Sequence, residues 1–267
     1  MSLTPVEPLQ WQPDGSPFNP RFGDVYRSRS GGLAQALHVF ANGCGLPRAW
    51  RGRARWDVLE TGFGLGLNFL ATWALWRSDP ARSPHLRFVS VEAYPVDASA
   101  LLRSAEALKP HPSTSAAPPE GTRPTPAWDA DLIPLVQALA PELAQAWSHL
   151  QPGWQSWPLD GGRVELCLGV GDAQSLLDDL PAQAVDAVYL DGFSPAKNPD
   201  MWSPALLASV ARHAVVDTRL ATYTVSSAVR RELTALGFAV RKTAGLPPKR
   251  ECLHAQMTAA GPTPDGA

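Results

Sequence analysis

The sequence predicts an α/β protein, a mostly parallel sheet with helices on both faces. Three observations carry that expectation. Five apolar runs of strand length occur between Arg55 and Val225, helix-like segments alternate with them, and a glycine-rich turn follows the first run directly.

Taken in order, residues 1–50 are rich in Pro, Gly and Asn, with short β-like pieces around "DVYRS" and "ALHVF". They read as an N-terminal extension packed on the core. Residues 51–257 form the main domain, which opens with the strand "RWDVLE" and its glycine turn. The second strand, "LRFVSVE", ends at Glu92, and a helix is expected over Ala98–Leu108. An insertion over about 109–160 follows. Its opening, "KPHPSTSAAPPEGTRPTP", reads as a surface linker, and "DLIPLVQALAPELAQAWSHL" reads as helix. Trp147, Trp154 and Trp157 either pack this small helical insertion onto the domain or stack bases of a substrate. The strands "RVELCLGV" and "AVDAVYLD" come next. In the following helix Ser203 caps, Pro204 suits the first turn, and Leu206, Leu207, Val210 and Ala214 share a face. After "RLATYTV", a helix runs from "SSAVRRELTAL" to a stop at Gly237, and "FAVRKT" and "RECLHAQM", joined through "AGLPP", close the sheet. Residues 258–267 read as a flexible tail.

The whole-chain properties narrow the function classes. A length of 267 residues suits one large domain with an insertion, and 45% hydrophobic with 18% charged residues excludes a mostly disordered chain. A formal net charge of −2 gives no global attraction to nucleic acid, so an RNA partner must meet a local basic patch. Arg48, Arg51, Arg53 and Arg55 form one such cluster. The three cysteines, Cys44, Cys167 and Cys252, lie far apart, and the six histidines show no metal spacing, so no metal is expected. The start lacks the basic flank and apolar core of a signal peptide, and no apolar run is long enough for a bilayer, so a reduced, cytoplasmic protein without membrane contact is expected.

The stretch "LETGFGLGLNFL" asks for a cofactor. A dinucleotide fingerprint needs a small third residue for helix–strand packing, and that position is Leu67. The glycines fall instead at Gly62, Gly64 and Gly66, with Glu60 ending the strand. This arrangement resembles the first motif of S-adenosylmethionine (SAM) methyltransferases; a purely structural turn is the plainer reading. Three acids at successive strand ends add weight. Glu92 suits ribose hydroxyls, Asp172 either caps a helix or faces an adenine amino group, and Asp191 closes "AVDAVYLD". All three converge on the carboxyl edge of the sheet.

The string "DGFSPAKNPDMW", with "ETGFGLGLNF", "SVEAYP" and "PKRE", resembles the methyltransferases that complete 5-methylaminomethyl-2-thiouridine at the tRNA wobble position. These are the stand-alone MnmD type, similar to the N-terminal half of bifunctional MnmC. The resemblance covers roughly residues 15–257. It implies a Rossmann-like methyltransferase fold, SAM as methyl donor, and the primary amine of 5-aminomethyl-(2-thio)uridine in the tRNA anticodon region as acceptor. The implied cofactor set is Glu60, Thr61, Gly62, Phe63, Gly64, Gly66, Asn68, Glu92, Asp172 and Asp191, with Asp191 catalytic. On the substrate side, Phe193 and Pro195 are expected to wall the uracil pocket. Lys197, Lys249 and Arg250 are expected to contact phosphates, and Tyr26 to reach the pocket from the N-terminal layer. Each of these cations, taken alone, also reads as a solvated surface charge. Fused relatives carry a flavin half; no second glycine fingerprint precedes Ala267, so no FAD is expected. Leu65 departs from the Thr or Ser that relatives often have, and the Pro-rich opening of the insertion is a local elaboration.

The implied reaction is an in-line displacement by a neutral amine, so orientation dominates. An alkyl amine has a pKa of about 10.4 and is mostly protonated at neutral pH. Asp191 is therefore expected to position the N–H groups first and act as a base second. Three rival readings remain at the level of sequence: a SAM-type transferase on a small-molecule amine, a flavin or nicotinamide oxidoreductase, and a noncatalytic RNA-binding module.

Overall fold

The computed structural model describes residues 8–27, 31–110, 128–147, 150–247 and 249–258. The N-terminal layer holds a three-stranded antiparallel sheet of β1 (Gln10–Trp11), β2 (Pro17–Asn19) and β3 (Asp24–Val25). Buried Asn19 pins its turn: Oδ1 accepts from the Arg21 and Phe22 amides at 2.8 and 3.2 Å, and Nδ2 donates to the Tyr26 hydroxyl at 3.0 Å. Helix α1 (Gly32–Gln35) continues into a wider π-helical turn over Ala36–Ala41. The β-like reading of "ALHVF" is thus corrected. Leu33, Leu37 and Phe40 recur at helical spacing and are all buried, which a strand could not achieve on one face.

The main sheet has eight strands: β4 (Arg55–Thr61), β5 (His85–Glu92), β6 (Gly153–Leu159), β7 (Val164–Val170), β8 (Val185–Leu190), β9 (Ala214–Thr222), β10 (Phe238–Ala244) and β11 (Glu251–Met257). Their order is β10-β11-β9-β8-β4-β5-β7-β6. The five strands from β7 to β9 are parallel, and β6 and β11 run antiparallel to their neighbours. Parallel strands buried on both faces explain the near-continuous apolar runs: in β4, Trp56 and Val58 enter one core and Leu59 the other.

The helices follow from local signals. Helix α2 (Leu67–Ser78) starts after Gly66 and is buried from Phe69 through Trp76, because the sheet lies on one side and other helices on the other. Helix α3 (Ala98–Glu106) is capped by Asp97, which accepts from the Ala100 amide at 2.8 Å. Helix α4 (Trp128–Ala146) packs on α2 and α3 and contains Pro134 and Pro141. Helix α5 (Ala173–Asp179) is capped by Asp172, α6 (Pro204–Ala211) by Ser203, and α7 (Ser227–Ala235) ends before Gly237, whose φ is 96°. Ala214 is not on α6; the helix stops at Ala211 and Ala214 opens β9. The segment expected as a small helical insertion also supplies β6, an edge strand carrying Trp154 and Trp157. Its expected linker from position 111 onward and the expected tail beyond Thr258 lie outside the described residues.

Candidate active site

Strand order reverses around β4, which has β5 and β7 on one side and β8 and β9 on the other. Chains leaving the carboxyl ends of β4 and β8 part there, opening a crevice at the usual ligand position of such sheets. A cavity of about 1070 Å³ occupies it.

The glycine turn forms its floor. Gly62, Gly64 and Gly66 have φ of 76°, 54° and 68°, a region costly for residues with a Cβ. At Gly64 a Cβ would also lie 3.3 Å from the Tyr26 ring, so the bare backbone is what leaves room. The Gly62 and Phe63 amides donate to the Val91 carbonyl at 3.0 and 3.1 Å, tying the turn to β5. Glu92 faces the turn from the end of β5: Oε2 accepts from the Gly64 amide and Oε1 from the Tyr94 amide, both at 2.8 Å.

Asp191 lines the cavity just beyond β8. Its Oδ1 accepts from the Gly192 amide and its Oδ2 from Asn68 Nδ2, both at 2.8 Å. Asn68 also donates to Glu60 Oε1 at 3.0 Å, and Ser90 donates to Glu60 Oε2 at 2.7 Å. One amide on the first turn of α2 therefore aims Asp191 and is itself held from below. Glu60 is 1% exposed, and burial, reinforced by the Asp191 and Glu92 charges, pushes its carboxyl well above the usual range. Burial likewise raises Asp191 to about 6, against the Gly192 and Asn68 hydrogen bonds and the Lys249 charge, which lower it. Thr61 Oγ1 donates to the Asp191 carbonyl at 2.7 Å and fixes the backbone of that corner.

An aromatic wall closes the side of the cavity facing the N-terminal layer. Phe193 stacks on Phe22 with centroids 4.8 Å apart and meets Tyr26 edge-on at 5.0 Å. Tyr223 donates its hydroxyl to the Gly192 carbonyl at 2.7 Å, and Lys249 Nζ sits 3.6 Å from the Tyr223 ring centroid. Desolvation there lowers the Lys249 pKa, while Asp191 and Asp24 oppose it.

The structure thus gathers Tyr26, Gly62, Phe63, Gly64, Asn68, Glu92, Asp191, Phe193 and Lys249 around one cavity. Glu60, Thr61 and Gly66 lie beneath or beside it. Asp172 stays outside its lining: Oδ1 accepts from the Ser175 amide and hydroxyl at 2.9 and 2.7 Å, bonds that lower its pKa. Pro195, Lys197 and Arg250 also lie outside the lining, with both cations exposed. None of Trp147, Trp154 and Trp157 lines the cavity. Trp147 is buried, stacks on Phe63 with centroids 4.9 Å apart, and donates to the Val96 carbonyl at 2.7 Å. The arginine cluster lies at the opposite edge, where Arg51, Arg53 and Arg55 pair with Asp79, Asp186 and Asp57. Sequence reasoning missed Phe22, Asp24, Arg27 and Tyr223. Asp24 and Arg27 flank the expected Tyr26, and Tyr223 follows the end of β9; the strand-end position was the available signal.

The residues present fit SAM: a glycine floor that a Cβ would fill, a carboxylate at the β5 end for ribose hydroxyls, and an amide-aimed carboxylate beside both. Among the described residues no group of His, Cys, Asp or Glu is arranged to hold a metal ion, and no helix is long and apolar enough to cross a membrane.

Comparison with known proteins agrees with this geometry. Residues 134–258 match the family described as S-adenosyl-L-methionine-dependent methyltransferase. The chain is 52% identical over 254 residues to the tRNA 5-methylaminomethyl-2-thiouridine biosynthesis bifunctional protein MnmC of Paracidovorax citrulli, covering 95% of this chain and 36% of that protein. The MnmC protein of Acidovorax sp. is 48% identical, over 93% of this chain and 35% of its own length. The chain therefore spans about a third of the length of the curated relatives it matches. The crystal structure of MNMC2 from Aquifex aeolicus has a TM-score of 0.64 at 22% identity, covering 98% of this chain and 74% of that one, which establishes the shared fold. The Rossmann-like sheet and these similarities together identify an S-adenosyl-L-methionine-dependent methyltransferase, similar over most of its length to about a third of the bifunctional MnmC proteins.

Proposed function

We propose that the chain methylates the primary amine of 5-aminomethyl-(2-thio)uridine at the wobble position of tRNA, giving 5-methylaminomethyl-(2-thio)uridine, and that it does so in the cytoplasm. The observation that carries this reading is Asp191, aimed by Asn68 and Gly192 beside both an aromatic wall and the glycine turn. The wall suits a pyrimidine ring laid against the Phe22–Phe193–Tyr26 cluster, with the 5-substituent reaching to Asp191.

Bound SAM supplies an electrophilic methyl group on a sulfonium. Glu92 holds the ribose hydroxyls of that cofactor, and Glu60 and Thr61 act from beneath by fixing Asn68 and Asp191. Asp191 accepts the amine's N–H groups and turns its lone pair toward the methyl group. A carboxylate alone would favour the ammonium form, which cannot attack. Lys249 opposes it, because a cation facing the same cavity disfavours a second one. Its seat in the cavity lining suits this role better than a phosphate contact; Lys197 and Arg250, outside that lining, suit RNA phosphates. Asp172 serves first as the cap of α5. In the domain division that we adopt, the N-terminal layer supplies one wall of the substrate pocket and the main domain supplies the cofactor floor.

The test is mass spectrometry of the wobble nucleoside after incubating the protein with SAM and tRNA carrying 5-aminomethyl-2-thiouridine. A mass gain of one methyl on that nucleoside is expected. Methylation of the free nucleoside but not of tRNA would replace the RNA substrate by a small-molecule amine.

A further inference from the structure

The cavity is lined by three carboxylates, Asp24, Glu92 and Asp191, and two cations, Arg27 and Lys249. Lys249 faces Asp191 and Asp24 electrostatically. Arg27 differs: among the described residues it makes no hydrogen bond or ion pair, and burial alone acts on it, lowering its pKa. A half-buried guanidinium that lines the cavity with no carboxylate beside it among the described residues is a ready partner for an arriving anion.

The stem of Arg27 is fixed. A Cβ on Gly32 would lie 2.6 Å from Arg27 Cδ and 2.8 Å from Leu67 Cδ2, so Gly32 is where the Arg27 stem and the residue following the glycine turn approach each other. Arg27 also directly follows Tyr26, whose ring covers Gly64. Its position is therefore set beside the start of α2 rather than on the outer surface.

We infer that Arg27 anchors the carboxylate at the methionyl end of the cofactor, an inference that rests on SAM as the ligand. The charges sort the cofactor's parts. Ribose hydroxyls suit Glu92, and the sulfonium methyl must face the amine held at Asp191. The methionyl carboxylate is repelled by all three acids and has one lining cation not already facing a carboxylate. The guanidinium fork matches a carboxylate with two parallel hydrogen bonds, which an ammonium does not. Arg27 is thus a positioning residue: it fixes the far end of the cofactor and thereby the angle at which the sulfonium meets the amine.

Calorimetry with two ligands tests this. S-adenosylhomocysteine carries the amino-acid arm, and 5′-methylthioadenosine has the same nucleoside and thioether without it. Arg27→Leu is expected to weaken S-adenosylhomocysteine binding by roughly tenfold to a hundredfold, the loss of charge-assisted hydrogen bonds, and to leave 5′-methylthioadenosine binding unchanged. Arg27→Lys should fall between. If Arg27→Leu does not yield folded protein, Arg27→Gln carries the same comparison. Equal loss of both ligands, or wild-type binding of S-adenosylhomocysteine, overturns the inference. In the second case a shallower salt dependence of tRNA binding would identify Arg27 as an RNA phosphate contact. Failure of the wild type itself to bind S-adenosylhomocysteine would refute the cofactor and not the role of Arg27.

Discussion

Replacing Asp191 by Asn tests the centre of the site, because the shape is kept and the charge is lost. In the wild type, both carboxylate oxygens accept 2.8 Å hydrogen bonds, from Gly192 and Asn68. An asparagine has one acceptor oxygen, so its NH₂ must face one of those two donors and its aim is lost. With orientation and proton acceptance both removed, methyl transfer in single turnover should fall by about a hundredfold to ten-thousandfold. S-adenosylhomocysteine binding should change little. The pH profile is the sharper readout. With Asp191 at about 6, the wild-type rate should fall by a further tenfold per pH unit below that value, beyond the loss of neutral amine that both proteins share, and the variant should lack this extra limb. Stability moves the opposite way. The folded pKa is raised from 3.8 to about 6, so the contribution is fully present below pH 3.8 and is lost as pH rises through 6. At about 1.4 kcal/mol per pH unit, the ionised carboxylate costs the wild type about 3 kcal/mol above pH 6. Urea titrations at pH 4 and pH 7.5 should therefore show the variant gaining on the wild type as pH rises. A variant that retains near-normal turnover with the same acid limb would show that Asp191 is structural and that another group holds the amine.

Gly64→Val should abolish measurable S-adenosylhomocysteine binding by calorimetry, since φ is 54° and a side chain would meet Tyr26; undiminished affinity would move the cofactor off this turn. Trp147→Ala should lower unfolding free energy by about 3–5 kcal/mol, from the emptied volume and the unpaired Val96 carbonyl, as read from the urea midpoint. A loss below about 1 kcal/mol would mean that the indole contributes little to the core. Lys249→Ala should shift the acid limb of the rate profile upward, because the lysine charge lowers the Asp191 pKa; an unmoved limb would separate the two groups. Lys197→Ala combined with Arg250→Ala should weaken tRNA binding and flatten its salt dependence while sparing cofactor binding, and an unchanged slope in a filter-binding assay would place the RNA surface elsewhere.

The parts of this fold legible in the sequence are those whose signal is local. Strands β4, β5, β7 and β8 are buried on both faces and read as mostly apolar runs, and the caps at Asp172 and Ser203 are decided within three residues. Strand β6 was not legible: "GWQSWPL" lies at the sheet edge, alternates in exposure and contains a proline, so neither length nor composition marks it as a partner of β7. "ALHVF" is a short apolar run whose period is ambiguous until its Leu37 is seen to share a buried face with the preceding Leu33. The same division holds in the site. The glycine turn and the strand-end acids lie in order along the chain, whereas Arg27, Asp24 and Tyr223 acquire their roles only when distant segments meet. Lys249 was legible as a cation near the sheet edge; its seat over the Tyr223 ring was not.

Helices α3 and α4 clasp each other directly, with Gln137 Nε2 donating to the carbonyls of Ala105 and Glu106 at 3.3 Å. The two halves of the active site fall on either side of this clasp in the sequence, the glycine turn and Glu92 before it, Asp191 and Lys249 after it. Because closing a longer connection costs only about 0.6 kcal/mol per doubling, the clasp, rather than the number of residues joining the two helices, is what holds the two halves together. It is also the natural place to divide the enzyme into two co-expressed fragments, with Trp147 stacked on Phe63 as part of the surface through which they would reassemble. Methyl transfer would then report on the meeting of the fragments, since neither alone holds both the glycine turn and Asp191.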